Sequence, residues 1–158
     1  MAKKLCIPKG MRWKMIKRTS RDNARTPIQW TAGENAGFTT GTPWMPVNPN
    51  YTEINAEAAL ADSDSVFHYY KKLIQLRKTY DVFRSGAFTL LCPEDEQIFA
   101  YTRDTEEEHI LVVCNFTDET LTYDVPSNFW GTEMLINNYV EDSNKLRPYE
   151  SVILYYHD

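Results

Sequence analysis

Hydrophobic positions recur with three different rhythms along the 158-residue chain. Over residues 1–62 there is no sustained period. Pro8, Gly10, Pro27, Gly33, Gly37, Gly41, Pro43, Pro46 and Pro49 break the segment repeatedly, leaving room for short helices around Arg12–Lys17 and Ala56–Ala61. Between them runs a long loop holding Trp30, Phe38 and Trp44. Loops of this length in compact proteins are functional or disordered, and aromatic side chains spaced along one imply that it lies against a surface.

Residues 63–82 switch to helical spacing. Val66, Tyr70, Leu73, Ile74 and Arg77 recur at i, i+3, i+4 intervals, with Phe67, Tyr69 and Leu76 widening the apolar face. Ser63-Asp64-Ser65 supplies oxygens that can cap a first turn, and Lys71, Lys72, Arg77 and Lys78 place positive charge toward the end that the helix dipole favours. The pattern predicts a helix over 64–80. Residues 83–158 alternate with period two between turn residues, predicting strands at Ala87–Cys92, Ile98–Arg103, Ile110–Phe116, Leu121–Val125, Glu133–Ile136 and Val152–Tyr156. The continuously apolar Ile110-Leu111-Val112-Val113 suits a central strand covered on both faces. The fold class expected is mainly β: a C-terminal antiparallel sandwich or Greek-key domain, preceded by one long α-helix and an irregular N-terminal segment.

Composition is that of an ordinary globular protein, 42% hydrophobic and 25% charged. The net charge of −5 conceals an asymmetry, with residues 1–25 at +8 and the remainder at −13. A basic arm on an acidic body can mark nucleic-acid contact, but no nucleic-acid-binding fold stands behind it, and docking on an acidic surface is the plainer reading. No nucleic-acid partner is expected. Cys6, Cys92 and Cys114 are sparse and unpaired in spacing, which argues against a disulfide framework or zinc site and for a reducing compartment. There is no signal-peptide core and no apolar run of the ~20 residues that span a bilayer, so a cytoplasmic protein without a membrane partner is expected. The two glycosylation sequons, at Asn50 and Asn115, read as chance matches in that setting.

Catalytic signatures are scarce. There is no nucleophile elbow, phosphate loop or paired histidine at metal spacing, and His68, His109 and His157 each read as surface or partly packed imidazoles. Glu94-Asp95-Glu96 and Glu106-Glu107-Glu108 fall in predicted hairpin turns and read as solvated tips. One segment stands apart: Ser20-Arg21-Asp22-Asn23-Ala24-Arg25-Thr26-Pro27-Ile28-Gln29-Trp30. Its Arg, Asp and Asn side chains form directional hydrogen bonds of the kind sugar hydroxyls accept and donate, and a guanidinium can serve a carboxylate and a ligand together. Chemistry alone equally allows a self-satisfied polar loop.

That segment resembles the SRDNARTPMQW stretch of bacterial oligo-1,6-glucosidases and their relatives in the α-amylase clan, with Ile28 in place of the usual Met. Asn35-Ala36-Gly37-Phe38-Thr39, Pro43-Trp44 and Val47-Asn48-Pro49-Asn50-Tyr51 resemble elements that follow it there. Phe67–Ile74 with Leu76-Arg77-Lys78 resembles the family's FYYYKKLIxLRK helix, and Val113-Cys114-Asn115-Phe116 and Leu146-Arg147-Pro148-Tyr149-Glu150 its later strand signatures. The resemblance runs in order from about residue 19 to 158, leaving residues 1–18 poorly matched.

The resemblance implies a retaining glycosidase, which uses two carboxyl groups about 5–5.5 Å apart as nucleophile and acid/base. In that family they sit on a (β/α)8 barrel, in motifs preceding the SRDNARTP stretch, and none of those motifs is present here. A barrel typically needs about 250 residues, so the catalytic barrel is expected to be absent, with no catalytic residues and no metal or organic cofactor in the chain. Residues 1–62 then correspond to a basic arm plus the loop after the last barrel strand, 63–82 to the final barrel helix, and 83–158 to the C-terminal β domain. An arginine of the loop, Arg21 or Arg25, is implied to hold the terminal glucose in the parent enzyme, whose expected action is on α-1,6 bonds of short oligosaccharides. The expected partner is the parent's catalytic barrel. Its absence would leave apolar area exposed, at about 25 cal/mol per Å², and predicts homo-oligomers or partial disorder over the first ~60 residues. The alternative reading is a non-catalytic glycan-binding or docking module, which exposed coplanar aromatics would support.

Overall fold

The computed structural model describes residues 8–19, 25–139 and 145–158. By internal contacts the chain forms two compact units, Met1–Lys71 and Lys72–Asp158, with the division falling inside one helix.

In the first unit, α1 spans Lys9–Thr19, longer than the predicted Arg12–Lys17, and α2 spans Ala56–Ala61 as expected. Asn55 starts α2: its side-chain oxygen accepts the Ala58 N–H (2.9 Å) and its amide donates to the Tyr51 carbonyl (2.9 Å). α3 runs Val66–Thr79, close to the predicted 64–80. Its start differs from expectation. The Ser65 carbonyl accepts the Tyr69 N–H (3.1 Å), whereas the Ser65 hydroxyl donates to the Ala59 carbonyl (2.6 Å), tying α3 to α2.

In the second unit, the α3 end is closed by the Tyr80 N–H on the Leu76 carbonyl (3.0 Å) and followed by a single helical turn, α4 (Val82–Ser85). The orphan carbonyls of α4 are gathered by two guanidinium groups: Arg103 donates to Phe83 O (3.1 Å), Arg84 O (3.3 Å) and Gly86 O (2.8 and 3.1 Å), and Arg77 adds a bond to Phe83 O (3.2 Å). Gly86 is compact by necessity, because a Cβ there would lie 2.6 Å from the Val82 carbonyl oxygen.

Five strands follow: β1 (Ala87–Leu90), β2 (Ile98–Asp104), β3 (Glu108–Asn115), β4 (Glu133–Asn137) and β5 (Ser151–His157). They form one sheet in the order β1-β2-β3-β5-β4, with every neighbouring pair antiparallel. Central β3 carries Ile110, Leu111, Val112 and Val113, all buried, as its unbroken apolar run predicts. Alternation along the strands sorts their side chains onto two faces. Ile98, Ala100, Leu111 and Val113 pack with Phe129 and Leu146 on one face, flanked by Leu121, Tyr123, Val125, Val152, Leu154 and Tyr156. The second unit is mainly β, as expected of the C-terminal domain, and the described residues form no (β/α)8 barrel.

The predicted strand at Leu121–Val125 is corrected to an irregular segment. It makes a single bridge, Leu121 to Leu146, closed by backbone bonds of 2.8 and 2.9 Å. Its alternation is real, since Leu121, Tyr123 and Val125 all pack on the core. Alternation specifies which side chains are buried, but a strand also needs a ladder partner.

Candidate functional site

The loop that connects Arg25 to α2 is built from backbone turns locked by amide side chains. Trp30 and Thr31 N–H both donate to the Ala36 carbonyl (2.9 and 3.1 Å). Asn35, Ala36 and Gly37 occupy three successive left-handed positions, with φ of 51°, 56° and 66°. Such a run is costly for Ala36, which is fully buried, and persists only where surrounding contacts determine it. A side chain at Gly37 would be strained, because φ is positive and a Cβ would stand 2.8 Å from Thr31 Oγ1. The Asn35 amide holds the exit of the turn through the Thr39 and Gly41 carbonyls (3.3 and 3.2 Å).

Gln29 joins the two arms of this loop. Its side-chain amide donates to Asn50 Oδ1 (3.1 Å) and to the Ile54 carbonyl. The Gln29 and Trp30 carbonyls accept the Ala56 and Glu57 N–H groups (2.8 and 3.0 Å), satisfying the free first turn of α2. The loop is thus well determined, while its aromatics face outward: Trp30 and Phe38 are about half exposed and Trp44 is 87% exposed. Arg25 is exposed at the near end of the loop. Arg21, the other expected sugar-binding arginine, lies outside the described residues.

The second unit contains polar groups whose importance the sequence reading missed. Glu150 is 2% exposed, and both of its oxygens are occupied. Arg147 donates from its backbone N–H (2.7 Å), Nε (3.0 Å) and a terminal nitrogen (2.7 Å), and Asn137 adds 2.9 Å. Burial alone pushes this carboxyl upward, but the Arg147 and Asn137 bonds outweigh it and hold the group below its ordinary value. Arg147 also lies 4.0 Å over the Tyr139 ring. The Arg147–Glu150 element is a structural clamp and leaves no oxygen lone pair directed at a ligand.

Asn115 belongs to the sequon read as a chance match, and its environment gives it a structural role. Only 3% exposed, it donates to the carbonyls of Glu119 (2.7 Å), Arg147 (2.9 Å) and Leu146 (3.4 Å), and accepts from the Thr117 N–H and hydroxyl (2.8 Å each). Two acids of the predicted turns serve backbone groups: Asp95 stays exposed, as expected of a solvated tip, whereas Glu108 is corrected to a half-buried position at the start of β3. Asp95 Oδ1 accepts the Gln97 and Ile98 N–H groups (2.8 Å each), which lowers its carboxyl below the usual value. Glu108 opens β3, accepting the Val82 N–H (2.9 Å) and the Tyr155 hydroxyl (3.3 Å). Their spacing in the sequence resembles a charged run, and only the turn geometry reveals the backbone amides that they cap.

The face opposite the main core carries a row of rings, Phe88, Tyr101, Phe99 and Phe116, with successive centroids 5.0, 5.4 and 6.5 Å apart. The interplanar angles are 35°, 53° and 72°, so the rings do not share the plane that a stacking platform for sugar rings requires. Trp130, 72% exposed, is held by its indole N–H on the Val125 carbonyl (2.8 Å). Among the described residues no group of three or more His, Cys, Asp or Glu side chains is arranged to hold a metal ion. No helix among them is long and apolar enough to cross a membrane.

Comparison with known proteins gives this geometry a setting. Residues 3–86 match the family model for the α-amylase catalytic domain, and residues 88–153 match that for the maltogenic amylase C-terminal domain. An oligo-1,6-glucosidase of Heyndrickxia coagulans is 46% identical over 142 residues, covering 89% of this chain and 25% of that protein. A trehalose-6-phosphate hydrolase of Bacillus subtilis (strain 168) is 46% identical over 149 residues, covering 88% of this chain and 26% of that protein. The crystal structure of Bacillus licheniformis trehalose-6-phosphate hydrolase superposes with a TM-score of 0.89 at 39% identity, covering 98% of this chain and 29% of that one. The chain therefore spans about a quarter of the length of the curated relatives it matches.

Proposed function

The chain belongs to the α-amylase family, and from that premise we propose that it is the C-terminal portion of a retaining α-glucosidase acting on α-1,6 bonds of short oligosaccharides. By itself it turns over no substrate. The observation that carries the reading is the order of the two matches. A stretch of catalytic-domain sequence runs directly into a C-terminal domain, over a length far short of the relatives. The parent is a glycoside hydrolase of the oligo-1,6-glucosidase and trehalose-6-phosphate hydrolase group.

In this reading residues 1–62 are a basic arm plus the loop after the last barrel strand, whose Arg21–Tyr51 region borders the active site, 63–82 form the final barrel helix and 83–158 the β domain that follows. Arg21 or Arg25 pairs with an aspartate of the barrel and steadies the terminal glucose, a task suited to a guanidinium that donates in two directions. The locked loop between Gln29 and Ala56 holds that end of the segment in place. Glu150, the buried carboxylate among the described residues, is fully engaged by Arg147 and Asn137 and contributes no acid/base chemistry.

The test is hydrolysis of p-nitrophenyl α-glucoside, isomaltose and trehalose 6-phosphate. The purified chain should release no glucose from any of them. Joined behind the remaining sequence of the Heyndrickxia coagulans enzyme, it should support isomaltose hydrolysis, and Ala in place of the sugar-holding arginine should then raise KM. Turnover by the chain alone would overturn the proposal. A joined enzyme that folds but cleaves no α-glucoside would count against this chain as the C-terminal portion of such an enzyme.

A further inference from the structure

The end of β5 is held by an imidazole placed between two carboxylates. His109, near the start of β3, presents Nδ1 to Asp104 Oδ1 at 2.9 Å and Nε2 to Asp158 Oδ2 at 3.3 Å. Its side chain is 15% exposed and stacks on Tyr156 of β5, with centroids 4.5 Å apart and planes 17° from parallel. Phe129 packs edge-on against the other partner of that stack, Tyr156, at 5.2 Å. The position of Asp104 is fixed by the Thr102 hydroxyl, which donates to its second oxygen (2.8 Å). Asp158 is placed by its backbone N–H on the Glu107 carbonyl (3.0 Å).

A carboxylate oxygen has no proton to give, so each contact requires an N–H on the ring. A neutral imidazole has one N–H and an imidazolium has two. Holding Asp104 and Asp158 together therefore requires the charged form. When His109 loses a proton, one carboxylate faces a nitrogen lone pair. The shorter bond, to the less exposed and hydroxyl-braced Asp104, is the one that survives, and Asp158, 67% exposed, is the one released.

We propose that His109 is a pH-operated clasp, closed as the imidazolium on Asp104 and Asp158, that loosens the end of β5 when it deprotonates. The other titratable groups nearby are Tyr156, which stacks on the ring, and His157, whose Nδ1 lies 2.7 Å from the Asp158 carbonyl oxygen and whose Nε2 lies 3.7 Å from Glu107 Oε2. Partial burial pulls His109 toward the neutral form. The bonds to Asp104 and Asp158, and their charges, outweigh that pull and raise the group above its ordinary value. With the folded value raised, the clasp is fully closed below the ordinary imidazole value and opens as pH rises through the folded one.

The experiment is an NMR titration of the whole 158-residue chain from pH 5 to 9, following the His109 ring and the exchange protection of the Asp158 amide. The ring should titrate above the ordinary imidazole value of about 6.5. Amide protection, corrected for intrinsic exchange, should fall about two- to fivefold across the same step, the scale of an exposed ion pair. Asp158→Asn, at an exposed position that leaves the core untouched and keeps the His157 contact to the residue 158 carbonyl, should remove that step. A His109 ring that titrates at or below the ordinary value would overturn the proposal. So would an Asp158→Asn chain whose protection step is as large as that of the unaltered protein.

Discussion

Residues 25–71 and residues 72–158 use aromatic and aliphatic side chains in opposite ways. In the second unit the large apolar groups of β2, β3 and β5 bury one another, and Ile110, Leu111 and Ile136 are almost wholly inaccessible. In the first, Ala36 and Met45 are buried, whereas Trp30, Phe38, Trp44, Ile54 and Leu60 are exposed and Val66 at the head of α3 is 80% exposed. No residue of α3 is buried, although its sequence is patterned for burial. Yet the loop of the first unit is closely specified, with three left-handed residues in succession and a network around Gln29 and Asn55. Definite geometry without a core of its own fits the proposed place of this segment beside a catalytic barrel. The β unit, by contrast, has a core that belongs to it.

That contrast can be broken by substitution. Leu111→Ala should cost about 2–5 kcal/mol in urea unfolding of the β unit, the range for truncating a buried leucine. A cost below 1 kcal/mol would mean that the sheet is not self-sufficient. Glu150→Gln should cost about 1.5–3 kcal/mol at neutral pH, because Arg147 would lose a buried charged partner. The folded carboxyl is held below its ordinary value, so its stabilisation is present at neutral pH and is lost as acidification passes through the folded value. The Glu150→Gln chain should therefore show a shallower loss of urea midpoint between pH 7 and 3. In the first unit, Gly37→Ala should cost about 1 kcal/mol or more from positive φ and the Thr31 clash. Its effect should appear as faster amide exchange at Trp30 and Thr31, with the β-unit urea midpoint unmoved. Smallest of all, Trp44→Ala should change the stability of this chain by no more than about 0.5 kcal/mol; a large loss would show that Trp44 has a partner here.

How much of this was legible depended on whether a feature is repeated or made once. Helix α3 and the strands announce themselves through many residues at one period, and the buried run Ile110–Val113 marks the central strand without help. Leu121–Val125 shows where the rule stops, since period two gave its inward face correctly but could not supply a neighbouring strand. Asp95, Glu108, Asn115 and Arg103 were not legible, because each serves backbone groups brought to it by a turn or by a distant segment. The family assignment was carried by motifs in order, which record ancestry more sharply than any local pattern. Arg25 remains an expectation placed at an exposed loop end, and Arg21 lies outside the described residues.

The most direct test of the contrast between the two units is residue-resolved amide hydrogen exchange on the purified chain. The account predicts that Ile110, Leu111, Val112 and Val113 in β3 exchange only through global unfolding, while amides of α2 and the first half of α3 exchange many-fold faster through local opening. Equal protection of β3 and α3 in a monomeric chain would contradict it, showing that the first unit holds itself together without the proposed barrel.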